Sequence, residues 1–212
     1  FIVGMDEVGY GPSLGPLGVC AVGFEISDPA IDLGHALGDS GGPVRDSKRL
    51  FTQARGIGTI EPTALAYIRR LRPIQGLTHA KLWSFLSPDR RRAPWYGDLA
   101  LPCAGPPPPP FVPPPGVRVA GVWARILDAA DFNGRVGTNK ADLLFECAAD
   151  LMRRALDACP GPVDFFVGRH GGRRFYLRPL LRHFDPVMVR EERPRISTYD
   201  FPRGRVSFLT DG

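Results

Sequence analysis

Two apolar runs open the chain and are separated by a turn rich in glycine and proline. The first run covers residues 1–5 and stops at Asp6-Glu7, and the second covers residues 17–26. Short apolar runs bounded by glycine and proline are typical of strands, so we predict two antiparallel strands joined through the loop at 9–16.

Helical spacing of apolar residues appears in three later segments. Residues 61–72 place Pro62 at the expected first helical position. Asn139 is a suitable N-cap for a helix whose apolar residues recur at helical spacing from 143 to 155. We predict a third helix over residues 175–184.

Further strands are predicted between and after these helices, at 117–127, 163–167, 187–190, 195–201 and 205–209. Strands come in a run at the start and alternate with helices later, which predicts an α/β fold with a mixed sheet flanked by helices. We expect a single domain over residues 1–212 that is incomplete at its C-terminal end.

The segment 104–116, AGPPPPPFVPPPG, interrupts this pattern. Proline has no backbone N–H to donate to a sheet, so we predict an extended, exposed, polyproline-like insertion. A stiff insertion without a partner is the favoured interpretation, and a docking site for a partner is the alternative.

The net charge and the cysteine content indicate which partners and which kinds of structural site this chain is expected to have. The formal net charge is +5, and the 27 basic residues include only three lysines. Arginine binds phosphate in a bidentate manner, which favours a polyanionic partner, although GC-rich codon usage would give the same bias. The 4 cysteines form no CxxC pair, and no apolar run has the length of a membrane span. We expect a cytoplasmic monomer without a membrane partner.

The motif with the clearest chemistry is Asp6-Glu7-Val8-Gly9-Tyr10-Gly11-Pro12. Adjacent carboxylates at the end of a buried strand repel each other, and a divalent cation between them removes that cost. Successive strand residues point to opposite faces, so both side chains can serve one metal only if the strand ends or bulges there. The alternative is a solvated turn with two surface acids.

This motif resembles the opening signature of the type 2 ribonucleases H, an Asp-Glu pair followed by a Gly-x-Gly-Pro turn. A second Gly-Pro follows at 15–16, and Asp46-Ser47-Lys48 is similar to the Asp-Ser-Lys element of that family. Looser similarity covers 132–133, 139–141 and 170–173 with Tyr176, as in a divergent bacterial branch.

The resemblance implies a ribonuclease H-like fold that cuts the RNA strand of an RNA·DNA hybrid, or ribonucleotide-containing DNA, with Mg²⁺ or Mn²⁺. It makes Asp6, Glu7 and Asp211 catalytic metal ligands. The substrate-binding residues that it implies are Gly9, Tyr10, Gly11 and Lys48. Asp46 would orient its loop rather than bind metal.

One expected acid is missing. In the bacterial branch a third acid should end the strand before Arg169-His170, but the residue there is Gly168. Asp164 is four residues upstream, roughly 13 Å away along a strand, and is a poor substitute. His170 could face a phosphate, but a lone histidine is more often structural.

Three functions therefore remain open. The first is a hybrid-cleaving endonuclease, and the second is a catalytically impaired homologue that still binds the hybrid. The third, a small-molecule phosphohydrolase, has no pocket motif to support it. Sequence analysis favours the endonuclease.

Overall fold

One mixed sheet contains all the strands found in the described part of the chain. The computed structural model describes residues 1–8, 16–39, 56–58, 60–72, 76–88, 97–103, 106–135 and 139–210. Within these residues the sheet has 7 strands in the order β3-β2-β1-β4-β7-β6-β5. The strands are β1 Ile2–Val8, β2 Leu17–Ile26, β3 Val117–Leu127, β4 Val163–Gly168, β5 Met188–Glu192, β6 Ile196–Phe201 and β7 Gly204–Leu209.

Strand directions change along the sheet. β1 runs antiparallel to β2 and parallel to β4, and β4 runs parallel to β7. β5, β6 and β7 continue as an antiparallel meander, with a register irregularity between Val189 and Glu191. The prediction of a mixed sheet flanked by helices is thereby confirmed.

The helices that lie within the described residues are mostly short. They are α1 Leu33–Asp39, a 3₁₀ turn Gly56–Gly58, α2 Ile60–Leu71, α3 His79–Leu86, α4 Ala129–Asn133, α5 Lys140–Ala158 and α6 Leu177–Leu181. None of them is both long enough and apolar enough to cross a bilayer.

Helix α5 covers the buried face of the central strands. It begins after Asn139, whose side chain accepts a hydrogen bond from the Ala141 N–H at 2.8 Å, as predicted. Its apolar stripe and the inward residues of β1, β4 and β7 belong to one core cluster. In β4 the alternation is regular, because Val163, Phe165 and Val167 are buried and the residues between them are not. This packing fixes the position of the central strands.

The chain divides into two compact units, Phe1–Phe24 with Ala120–Gly212, and Glu25–Val119. The first contains the core around α5. The second contains α1, α2 and α3, with a small cluster of Leu65, Ile68 and Leu77. The expectation of a single domain stays a prediction.

Some predicted boundaries are wrong by a few residues. β1 continues past Asp6-Glu7 to Val8, because the ladder to β2 extends that far. α2 begins at Ile60, so Pro62 is its third residue rather than its first. The helix predicted over 175–184 covers only Leu177–Leu181, and the chain continues as turns and bends over 182–186.

The proline-rich insertion is not exposed throughout, contrary to the prediction. Residues 106–114 form neither helix nor strand. Phe111 is buried, stacks on Tyr67 with ring centroids 4.2 Å apart, and donates its N–H to the Ala66 carbonyl. One aromatic side chain therefore anchors an otherwise largely solvent-facing segment.

Candidate metal and nucleic-acid site

The carboxyl ends of three parallel strands meet at one edge of the sheet. β1 ends at Val8, β4 at Gly168 and β7 at Leu209. The Arg169 N–H donates to the Leu209 carbonyl at 2.9 Å, which holds the end of β4 beside the end of β7. Side chains that end or follow these strands are therefore close neighbours.

Asp6 and Glu7 both approach position 168 at this edge. A Cβ atom built on Gly168 would lie 3.1 Å from Asp6 Oδ1 and 3.8 Å from Glu7 Oε2. Two carboxylate oxygens from consecutive residues thus converge on one point. That the pair binds a single metal stays a prediction.

The end of the β1–β4 pairing explains how consecutive residues can converge. β1 pairs with β2 without interruption to Val8, but its pairing with β4 stops at Met5. Asp6 lies on the exposed face of the sheet, like Gly4. Glu7 lies on the opposite face, the one on which Met5 is buried. Because no β4 residue pairs beyond Met5, both side chains can approach the end of β4.

The two carboxylates supply oxygen ligands, which hard divalent cations prefer, and both lie near position 168. Mg²⁺ and Mn²⁺ prefer oxygen ligands, and Mg²⁺ keeps several waters around one or two carboxylates. Asp6 Oδ1 also accepts the Glu7 N–H at 2.9 Å, which limits its rotation. Within the described part of the chain, however, no three His, Cys, Asp or Glu side chains form a metal-binding group.

Position 168 itself offers no ligand, as the sequence indicated. Asp164 is the second residue of the same strand, is exposed, and pairs in register with Ile2 at the opposite end of β1. It is therefore four residues from the site and cannot replace the missing carboxylate. The other predicted site residues lie outside the described residues: Gly9, Tyr10, Gly11, Lys48 and Asp211, together with Asp46.

His170 is a core residue, which confirms its structural interpretation. It is only 1% exposed, and its ring contacts the rings of Phe145, Tyr176 and Phe208. Burial, together with the nearby Arg173 charge, lowers the pKa of His170 to about 4. The imidazole is therefore neutral near pH 7 and does not hold a phosphate by charge.

Two buried tyrosines fix the segment that follows β4. The His170 N–H donates to the Tyr176 hydroxyl, and the Tyr176 N–H donates to the Tyr199 hydroxyl, both at 2.9 Å. The Tyr199 hydroxyl in turn donates to Glu192. Tyr176 also stacks on Phe208 with centroids 3.5 Å apart. The 170–176 loop is thus held rigidly at the edge.

Several charged side chains lie near Tyr176. The pKa of Tyr176 is raised to about 12, chiefly by burial; the His170 N–H and the Arg173 and Arg169 charges act against the rise, and the Glu7 charge adds to it. Arg173 forms an ion pair with Asp142 in the first turn of α5. Arg169 donates to the carbonyls of Pro194 and Arg193. The edge therefore combines two carboxylates with several arginines.

Part of this edge was not predicted from the sequence. Phe175 lies in the predicted helix 175–184 and had no predicted role, yet it is 66% exposed beside a buried tyrosine. Arg195 had no predicted role at the site either, although the Thr210 N–H donates to the Arg195 carbonyl at the end of β7. The density of arginine between 169 and 205 was the available signal.

Comparisons of this chain with protein-family models, with curated proteins and with solved structures found no match.

Proposed function

We propose that the protein is a metal-dependent endonuclease that cleaves the RNA strand of RNA·DNA hybrids. A mixed sheet whose parallel strands end beside Asp6 and Glu7 supports the ribonuclease H-like fold that the sequence resemblance implies. Arginines at the same edge supply the positive charge that a polyanionic substrate needs.

The convergence of Asp6 Oδ1 and Glu7 Oε2 on position 168 carries this proposal. Carboxylates held close together repel each other unless a cation neutralises them, so their approach at an open strand end favours metal binding over a structural role. A solvated turn with two surface acids would not require both side chains to approach one point.

Each chain group would have a limited task in the reaction. A bound divalent metal would polarise the phosphodiester and make a water more acidic. Asp6 and Glu7 would hold that metal at the strand ends, and the hydrogen bond from the Glu7 N–H would keep Asp6 oriented. Lys48 would contact a phosphate, and Gly9, Tyr10 and Gly11 would contact the ribose beside the cut. Asp211 would complete the ligand set.

Gly168 favours a second candidate, a homologue that binds the hybrid but cleaves it poorly. A glycine contributes no ligand where the resemblance implies a third carboxylate, and the described residues contain no three-ligand group. Phosphate contacts do not depend on that ligand, so affinity for the hybrid would survive its loss.

Cleavage of an end-labelled RNA·DNA hybrid distinguishes the two candidates. The assay compares the protein in Mg²⁺ or Mn²⁺ with Asp6→Asn and Gly168→Asp variants. If the protein is an endonuclease, it cleaves the hybrid and Asp6→Asn lowers the rate by at least about 100-fold, as removal of a catalytic group typically does. If it is an impaired homologue, only Gly168→Asp cleaves.

Gly168→Asn is the matched control for the repair, because it adds the same volume without the charge. A Cβ at this position meets Asp6 Oδ1 at 3.1 Å, so both substitutions require a small local shift. No cleavage by any folded variant, including Gly168→Asp, would contradict both candidates if hybrid binding is also absent.

A further inference from the structure

An exposed aromatic side chain stands among arginines at the carboxyl edge of the sheet. Phe175 is 66% exposed, and Arg174 and Arg195 beside it are exposed as well. An exposed aromatic ring together with exposed arginines is the combination that stacks on bases and contacts phosphates.

The backbone around Phe175 is held in place. The Ser197 hydroxyl donates to the Arg174 carbonyl at 2.8 Å, and Tyr176 is fully buried against Phe208. Because its neighbour is locked into the core, Phe175 is held outside it. The ring is therefore presented by a rigid segment rather than by a loose loop.

The same contacts bring Arg195 close to Arg174. Ser197, which contacts Arg174, follows Arg195 by only two residues, a span of roughly 7 Å in extended chain. The Arg195 carbonyl accepts the N–H and the hydroxyl of Thr210, at the end of β7. β7 is two strands from β1, so these arginines lie roughly 10–15 Å from Asp6 and Glu7.

Several arginines near these two in the chain form ion pairs with acidic side chains. Arg173 pairs with Asp142, Arg193 pairs with Glu191, and Arg190 and Arg205 share Asp200. In the portion of the chain that the structure describes, neither Arg174 nor Arg195 forms an ion pair. Their charges are available to an external anion.

We propose that Arg174, Phe175 and Arg195 form a binding surface for an unpaired nucleic-acid strand that continues from the hybrid. The inference rests on the proposed function and adds a substrate class to it, a hybrid with a single-stranded extension. The arginines contact successive phosphates while the Phe175 ring stacks on a base.

Stacking on Phe175 requires a base that is not already stacked on both sides. Bases inside a duplex have both faces covered by their neighbours, whereas bases of a single strand expose a face to an aromatic ring. A surface made only for duplex phosphates would gain nothing from a protruding phenyl ring. Phe175 therefore favours unpaired nucleotides beside the carboxylate pair.

The test measures fluorescence anisotropy in EDTA, so that binding is observed without cleavage. The probes are a blunt RNA·DNA hybrid and the same hybrid extended by a single-stranded DNA overhang of about six nucleotides. We expect the extended hybrid to bind about tenfold more tightly, a typical effect of stacking one base. Phe175→Ala should abolish this preference, and Phe175→Trp should keep it.

The arginines are tested by salt dependence. The double variant Arg174→Gln, Arg195→Gln should bind the extended hybrid more weakly, with a salt slope lower by about two, one for each lost phosphate contact. The matched controls are Met188→Ala, an exposed apolar residue of β5, and Arg70→Gln, an exposed arginine of α2. Neither control should change the preference or the slope.

Equal binding of the two probes, or a preference that survives Phe175→Ala, would overturn the inference. Cleavage of the blunt hybrid separates this result from the proposed function, because Phe175 contacts no metal ligand in the proposal. If the blunt hybrid is cleaved but the overhang adds no affinity, only this inference fails. If the overhang binds through Phe175 but no hybrid is cleaved, the surface stands and the nuclease proposal fails.

Discussion

A neutral histidine is enclosed by aromatic rings directly after β4. His170 contacts Phe145, Tyr176 and Phe208, and its Nδ1 atom has no hydrogen-bond partner within the described residues. Protonation would place an unpaired charge in the core, and this cost is the reason for the low pKa of His170. Folding stability must therefore depend on pH through this residue.

We expect stability to fall as the pH drops from about 6.5 towards 4. The pKa of His170 is about 4 in the folded protein against 6.5 in the unfolded chain. Between these values only the unfolded chain binds the proton, so acid favours unfolding. From pH 7 to pH 5 this residue should lower the free energy of unfolding by ~2 kcal/mol.

Urea unfolding of the protein and of His170→Phe at both pH values isolates the effect. Carboxylates common to both proteins contribute equally, so the variant should lose ~2 kcal/mol less on acidification. Equal losses in the two proteins would contradict burial of a neutral imidazole. Arg70→Gln, an exposed change in α2, serves as a control that should follow the unchanged protein.

The roles of some residues could be predicted from the sequence, and those of others could not. Asp6 and Glu7 are adjacent in the chain, so both side chains can approach one site where a single strand ends. The sequence was therefore enough to predict this pair. Gly168 could be identified as a missing ligand through the resemblance alone. Phe175 could not be found, because its exposure depends on Tyr176 being buried against β6 and β7.

At the scale of elements, α5 is the helix that the sequence specified most completely. Its apolar residues recur at helical spacing, and 9 of its 19 residues are buried. An N-cap and a continuous stripe are local features, so both were visible before folding. The short helix α6 has no side-chain N-cap hydrogen bond and a single buried residue, Leu180, so its limits could not be predicted from the sequence.

The cap of α5 should make a measurable contribution to stability. The Asn139 side chain accepts the Ala141 N–H at 2.8 Å, one of the first N–H groups that the helix itself leaves without a partner. Asn139→Ala should lower the free energy of unfolding by ~1 kcal/mol, and Asn139→Asp should retain most of it. Urea denaturation followed by circular dichroism measures both variants. A loss in the alanine variant no larger than in the aspartate variant would count against the cap.

The whole molecule joins segments that are far apart in the chain at one edge of the sheet. β1 lies beside β4, which lies beside β7, so residues near 6, 168 and 209 become neighbours. A metal held by Asp6 and Glu7, as proposed, would neutralise two carboxylates at the end of β1, beside the end of β4. Metal binding should therefore raise the free energy of unfolding of the protein.

We expect Mg²⁺ or Mn²⁺ to raise the unfolding temperature by several degrees. A metal concentration 100-fold above its dissociation constant adds about 2.7 kcal/mol, and a chain of this size gains about 2–4 °C per kcal/mol. Asp6→Asn should remove most of the increase. Without metal it should be at least as stable as the unchanged protein, because it relieves repulsion with Glu7.

Differential scanning fluorimetry with and without the metal measures these shifts. Asp164→Asn is the matched control, since Asp164 is an exposed carboxylate at the opposite end of β4, and its metal response should equal that of the unchanged protein. A shift that Asp6→Asn leaves intact would place the metal elsewhere.

The sequence by itself determined the strands, the long helix, the mixed sheet and the carboxylate pair. These features depend on local periodicity, capping and adjacency, which short segments carry independently of the rest of the chain. Only the tertiary structure decided the strand order and the point on which Asp6 and Glu7 converge. It also decided the burial of His170 and the exposure of Phe175 among unpaired arginines. Each of these depends on contacts between segments that are not adjacent in the chain, or on which of two neighbouring aromatic rings is buried in the core.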